Sequence, residues 1–327
     1  VRTYYIAADE LEWDYAPSGY DHVSGFPFVL EKDTAGVFTL HAADKIGSKY
    51  IKAVYYEYTD DTYSVRKAKF AWQGFLGPII RAEVGDVVRI FFKNQATTPI
   101  SIHPHGSIYQ PPSEGAATQW NMMGAPVNPG EVYEYTWKIA EETGPAVNDP
   151  NSILWAYHSH LTEGNDIYAG SVGGIIVYRS GFLNDTTNQA RDVQHEYITL
   201  FGVFDESMST YYTPNLIDYA NVDAIGAKDD FDESNKMHSI NGRVYNNLDG
   251  LVAVKGDKIR WHAFAIGNEV DLHSAHWHGN TFIESGHRRD VVELLPATFR
   301  TVDMTANNPG TWLIHCHVSN RPAECIE

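Results

Sequence analysis

The chain has 327 residues, enough for two domains with cores of their own. Its net charge of −18, from 24 Lys+Arg against 42 Asp+Glu, argues against nucleic acid or an anionic membrane as partner and for cationic substrates or simple solubility. No apolar run reaches transmembrane length, and two cysteines, Cys316 and Cys325, offer no disulfide framework.

In chain order, short strand-like runs alternate with Gly, Pro, Asn and Asp clusters. Tyr4–Ala8, Val87–Phe92, Tyr133–Trp137, Gly174–Tyr178 and Ile259–Ala263 each read as a strand, and long helical periodicity is missing. The expected class is therefore all-β, built from antiparallel sandwiches. The opening Val1–Tyr5 has no signal-peptide character, so an exported form is expected to be the mature one. The sequon Asn184-Asp-Thr186 is compatible with secretion. The acidic run Asp229–Glu233 reads as a solvated loop, with a calcium site as the functional alternative.

The two halves repeat each other. Val84-Gly-Asp86 is answered by Lys255-Gly-Asp257, His103-Pro-His-Gly106 by His276-Trp-His-Gly279, and Asn128-Pro-Gly130 by Asn308-Pro-Gly310. Each half then closes on a second His-X-His, at His158/His160 and at His315/His317. The first half carries an extra Pro- and Gly-rich loop, Tyr109 to Pro126, between its pairs. The polar, turn-forming stretch Arg179–Asn188 is the expected joint, giving domains 1–182 and 183–327.

A single His-X-His is usually structural. Four in register across a repeat predict metal binding, and imidazole suits copper and zinc alike. In the last pair the strand alternation puts His315 and His317 on one face and Cys316 on the other, so a single short strand can serve two metal sites. A thiolate beside eight paired imidazoles favours copper over one tetrahedral zinc.

These motifs resemble the multicopper oxidases, and among them the ceruloplasmin/hephaestin ferroxidases, whose domain pairs also resemble the A domains of coagulation factors V and VIII. The stretches Tyr4–Tyr15, Gly47–Tyr50, Gly74–Pro78, Glu233–Gly242 and Gly267–His273, with the final His-Cys-His, carry the likeness over nearly the whole chain. It implies two tandem cupredoxin-like Greek-key β-sandwiches. It implies a type 2 copper on His103 and His276, and a type 3 copper pair on His105, His158, His160, His278, His315 and His317. Cys316 and His273 match type 1 copper ligands, and Ser159 stands where the first half would carry a thiolate. The implied reaction takes electrons from ferrous iron at the type 1 copper and reduces dioxygen to water at the three-copper cluster. Glu269, four residues before His273, matches an iron-holding acid. Asn320 stands where an aspartate is expected, and Asp21 and His22 match the remaining iron ligands poorly.

The chain departs from the family after His-Cys-His. Arg321 and Ile326 occupy the positions of the second type 1 histidine and of the Met or Leu axial residue, and an arginine has no acceptor with which to bind a metal. Cys325 reads as a surface thiol, and the sequence stops at Glu327 where the family continues into a closing strand. In the large ferroxidases the cluster lies between the last domain and the first. The expectation is a homotrimeric ring in which the second domain of one chain meets the first of the next, secreted or extracellular, or membrane-attached through a further segment. A non-enzymatic copper-binding scaffold and a laccase-like phenol oxidase are the alternatives.

Overall fold

The computed structural model describes residues 1–31, 34–268 and 271–318. Nine strands form the first pair of sheets: β1 (Arg2–Asp14), β2 (Lys49–Tyr58), β3 (Ile80–Glu83), β4 (Val87–Asn94), β5 (His103–Pro104), β6 (Ile108–Tyr109), β7 (Val132–Lys138), β8 (Ser152–His158) and β9 (Val172–Tyr178). One sheet has the order β2-β1-β4-β7-β6 and the other β3-β9-β8-β5. Along β4 burial alternates strictly, with Val88, Ile90 and Phe92 turned into the core between the sheets, as a half-buried strand requires.

Nine further strands make the second pair: β10 (His195–Asp205), β11 (Lys236–Ile240), β12 (Lys258–Ala265), β13 (His273–Trp277), β14 (Phe282–Glu284), β15 (His287–Arg289), β16 (Val291–Leu294), β17 (Thr298–Thr305) and β18 (Ile314–Cys316). Their orders are β11-β10-β12-β17-β14-β15 and β16-β13-β18. The repeat is topological as well as sequential. β1 pairs antiparallel with β2 and parallel with β4; β10 does the same with β11 and β12. In the small sheets His103 lies opposite His158, and His276 opposite His315. The fold is thus all-β, two cupredoxin-like sandwiches in tandem. We propose the division between residues 182 and 183, at the start of the short hairpin Leu183–Asn184/Gln189–Ala190 that separates the two sets of sheets.

The acidic run expected as a loop is a short helix instead, Lys228–Ser234. Phe231 anchors it in the core, Asp229 and Asp230 sit in its first turn where the helix dipole favours negative charge, and Lys228 pairs with Asp232 one turn on.

The two sandwiches share a continuous core. Every residue of β9 is buried, because its outer face lies against the second domain; a Cβ on Gly174 would come within 2.8 Å of the Ile198 side chain. Charges are buried at this seam too. Arg81 of β3 pairs with Glu196 of β10, and Tyr178 donates to the same carboxylate at 2.6 Å. Ser152 donates to its other oxygen at 3.0 Å, and His262 stands 3.5 Å away. Arg260 completes the network through Asp303 and Asp192 at 2.7 and 2.9 Å. A second buried pair, Lys52 with Glu206, also joins the domains, and Tyr15 donates to the Glu206 carboxylate.

Burial alone would raise the Glu196 carboxyl, but Arg81, His262 and Tyr178 together outweigh it and hold the group below the usual carboxylate range. Burial pushes His262 below the usual imidazole value, with Glu196 opposing. Both groups bind protons more readily in the unfolded chain, so both contribute stability that is full near neutral pH and lost on acidification. Glu196→Gln is expected to strand the Arg81 charge and cost about 3–5 kcal/mol at neutral pH. It should also flatten the fall in stability between about pH 5 and pH 3. Denaturant unfolding of both proteins over that pH range checks both effects.

Candidate metal centre

Eight paired imidazoles and one thiol gather at the small sheets of the two sandwiches. In the first domain β5 and β8 bring His103, His105, His158 and His160 together. The ring centroids of His103 and His160 are 4.9 Å apart, those of His105 and His158 are 5.2 Å apart, and the Nε2 atoms of His105 and His158 are separated by 3.1 Å. The extra loop folds over this quartet: the Glu114 carbonyl accepts from His103 Nδ1 at 2.7 Å, and Ala116 bridges to His160.

In the second domain β13 and β18 assemble His276, His278, His315 and His317. His276 Nδ1 lies 3.1 Å and His278 Nε2 3.0 Å from His315 Nε2. The His317 ring stands 5.2 Å from that of His276 and 5.3 Å from that of His315. Two nitrogens each about 2.0 Å from one ion lie roughly 2.8–3.3 Å apart, so this spacing fits a shared metal. The ligand atoms of His276, His278 and His315 form such a group among the described residues.

Tautomers are set alike in the two halves. His158 Nδ1 donates to the Ser159 carbonyl at 2.9 Å and His315 Nδ1 to the Cys316 carbonyl at 3.0 Å, which leaves each Nε2 lone pair free to bind. Burial lowers His158 to about 3, and His105 and His315 to about 4, so all three are neutral at physiological pH. Two glycines make the close geometry possible. Gly106 and Gly279, each ending a His-X-His-Gly, have φ of 57° and 66°, and a Cβ there would run into Trp155 and Trp312 respectively.

Cys316 takes the other face of β18, as strand alternation requires. Its buried Sγ lies 3.6 Å from His273 Nδ1 and accepts from the Ser274 N–H at 3.4 Å. A sulfur and a nitrogen bound to one ion at roughly 2.3 and 2.0 Å lie about 3.5 Å apart. Burial opposes both charged forms here. The Asp271 carboxylate, 3.1 Å from His273 Nε2, and the Cys316 sulfur nevertheless push His273 up to about 9, while the hydrogen bond from His273 lowers the thiol. The site thus favours the thiolate, the form that ligates. The corresponding place in the first domain holds Ser159, whose hydroxyl donates to Asp166 at 2.7 Å.

Two residues near this thiolate had no sequence assignment. Asp271 lies two residues ahead of His273, just before β13, and reaches its imidazole at 3.1 Å, so an Asp-X-His spacing could have pointed to it. His238 lies on β11 opposite Val203, whose N–H donates to Asp271 at 2.7 Å. Burial lowers His238 to about 4; the Glu233 carboxylate opposes that and the His273 charge adds to it. The spacing of Glu233 and His238 was visible in sequence without a partner to give it meaning. Asp232 and Glu233, by contrast with a free calcium site, are engaged by Lys228 and Lys236. Asp21 and His22 sit on a hairpin against Tyr245 and Tyr20, with no contact to His273 or Asp271. Glu269, Asn320, Arg321, Cys325 and Ile326 lie outside the described residues.

Among the described residues, no ring contact or hydrogen bond joins one quartet to the other. The second domain touches the first quartet through a different element: Phe299 of β17 packs on His105 at 5.7 Å and on Trp155 at 5.6 Å. Trp277, between two quartet histidines, turns inward to pack on Trp261 and Phe282.

Models of the multicopper oxidase family match residues 53–181 and 211–321. Curated relatives include the ferroxidase HEPHL1 of Homo sapiens, 44% identical over 98% of this chain, and ceruloplasmin of Homo sapiens, 42% identical over 98%. Hephaestin of Homo sapiens is 40% identical over the same share. The chain spans only 28%, 29% and 28% of those three proteins. Among solved structures, a multicopper oxidase named mgLAC superposes with a TM-score of 0.61 over 97% of this chain and 80% of its own. The blue copper oxidase from Nitrosomonas europaea gives 0.59 over 97% and 79%; both are 18% identical and speak to the fold alone.

His276→Ala is expected to weaken Cu(II) binding by at least about 100-fold, and Asp271→Asn by about 10- to 100-fold through the imidazole it holds. His195→Ala, outside both quartets, should leave the affinity unchanged. Chelator competition monitored on each variant checks the order.

Proposed function

Because the chain belongs to the multicopper oxidase family, we propose that it works as a copper-dependent ferroxidase, taking electrons from ferrous iron and passing them to dioxygen, which leaves as water. The observation that carries the reading is the placement of Cys316 between His315 and His317 on one strand. Its sulfur turns towards His273 while the two rings turn towards the quartet, so a bonded route of a few atoms joins the two sites. Copper, when bound, would supply the one-electron chemistry at both ends of that route. The chain supplies the rest. Asp271 orients His273, the Ser274 N–H steadies the thiolate, and the backbone carbonyls after His158 and His315 keep the metal-facing nitrogens unprotonated.

Iron is expected to approach on the His273 side, where His238 lies within electrostatic reach of Asp271, with Glu269 as a further ligand. These are oxygen and nitrogen donors suited to a divalent iron that must be held and then released. The net charge of −18 would draw such a cation to the surface.

Each sandwich carries four of the eight cluster imidazoles, and among the described residues no ring contact or hydrogen bond joins the two quartets within one chain. The proposed assembly is therefore a homotrimer in which the second domain of one copy faces the first domain of the next, a heterologous interface that closes as a ring. A secreted or extracellular setting suits the ferroxidase reading. Among the described residues no helix is long and apolar enough to cross a membrane.

The replacement of two expected type 1 positions by Arg321 and Ile326 favours one competing reading, a copper-binding scaffold without turnover. Copper stoichiometry with the visible spectrum separates the two. The ferroxidase reading expects a thiolate-to-copper absorption that Cys316→Ser removes, together with at least about 100-fold of the iron-dependent oxygen uptake. A colourless protein that consumes no oxygen with ferrous iron sinks it. His238→Ala should raise KM for ferrous iron about 10-fold while leaving kcat within about 2-fold. Light scattering on the copper-loaded protein should give three chains per particle; a monomer carrying its full copper load would refute the ring.

A further inference from the structure

In so acidic a chain, three cations gathered around neighbouring aromatic rings stand out. Arg66 and Lys69 of the first domain meet on the Tyr56 ring, with the guanidinium carbon 4.1 Å and the ammonium nitrogen 4.8 Å from its centroid. Arg243 of the second domain stacks on Trp13 at 3.9 Å, close enough to act electrostatically on both Tyr56 and Lys69. Arg66 is paired with Asp9 at 2.6 Å. Arg243 donates to the Asp14 carbonyl and feels the Asp14 and Asp249 carboxylates at longer range. Lys69 has nothing comparable. Its Nζ is shut off from solvent and, apart from the Tyr56 face, meets no acceptor.

A buried ammonium without an acceptor is costly, and such a group usually marks an ion or water that belongs there. The surroundings say which. Lys69 lines a cleft of about 530 Å³ between the two domains. The other cations lining it are already neutralised, Lys67 by Glu57 and Arg81 by Glu196. A cation would be repelled by Lys69 and the two neighbouring arginines, and water would leave the Lys69 charge uncompensated. Guanidinium forks match oxygen pairs of a carboxylate or phosphate.

We propose that Arg66, Lys69 and Arg243 form a site for a small oxyanion that enters from the interdomain cleft and ties the two domains together. The burial that pushes Lys69 down to about 7, with the two arginines adding to it, is relieved once the anion is in place. The site stands apart from the metal centre and does not depend on the ferroxidase reading.

The test is thermal unfolding of the whole, copper-loaded chain at slightly acid pH, titrated with inorganic phosphate in one series and citrate in another. At about 100 times its dissociation constant, an anion held here should raise Tm by about 4 °C. Lys69→Met and Arg243→Met should abolish that rise, whereas Lys67→Met should keep it. Without anion, Lys69→Met should melt above the parent protein, because it removes an unpaired buried charge. A rise of equal size in Lys69→Met and parent would be general salt stabilisation and would overturn the site, as would a Lys69→Met protein that melts lower without anion. A response to only one of the two anions identifies the chemistry the site prefers.

Discussion

Successive side chains of an extended strand point to opposite sides, and the candidate centre rests on that constraint. At the end of β18 it separates one thiol from two imidazoles over three consecutive residues, and on β13 it aligns His276 with His315 and turns Trp277 inward. A helix would have spread the same residues around its axis. Only a strand delivers two donor sets back to back with a covalent link between them, and only a second strand paired in register brings the remaining imidazoles to the same edge.

Duplication explains why the two halves look alike, and the seam explains why they are not independent. The carbonyl that fixes the His158 tautomer has its counterpart after His315, and each His-X-His-Gly turn closes beneath an indole. At the thiolate position the halves part. Ser159 is tied into a hydrogen-bond cluster around Asp166, whereas Cys316 is held by the imidazole that Asp271 orients. Between the halves, Arg81, Glu196, His262 and Arg260 form a network in which each charge needs the next. Such buried ion pairs specify a single arrangement more than they add net stability.

Much of this was legible in the chain. Four His-X-His pairs in register, the Gly-Asp and Asn-Pro-Gly echoes and the alternating apolar runs point to two sandwiches, and the strand pairing puts a histidine-lined edge on each. Other features were not. The run Asp229–Glu233 looked like a loop because its only apolar residue, Phe231, gives no periodicity; tertiary packing of that one ring makes it helical. Asp271 and His238 gain meaning only when β10 places Val203 between them. Lys69 carries no motif at all, and its lack of an acceptor can be seen only once Tyr56, Arg66 and Arg243 are in place.

The contact of Phe299 with His105 and Trp155 means that one wall of the first quartet is lent by the other sandwich. Coupling of this kind is reciprocal. Whatever fixes the rings of the first quartet also clamps the ring of Phe299, and whatever loosens the junction slackens the wall on which His105 rests. A severed first domain would keep all its donor atoms and still bind more weakly, since the preorganisation it needs is housed in its neighbour.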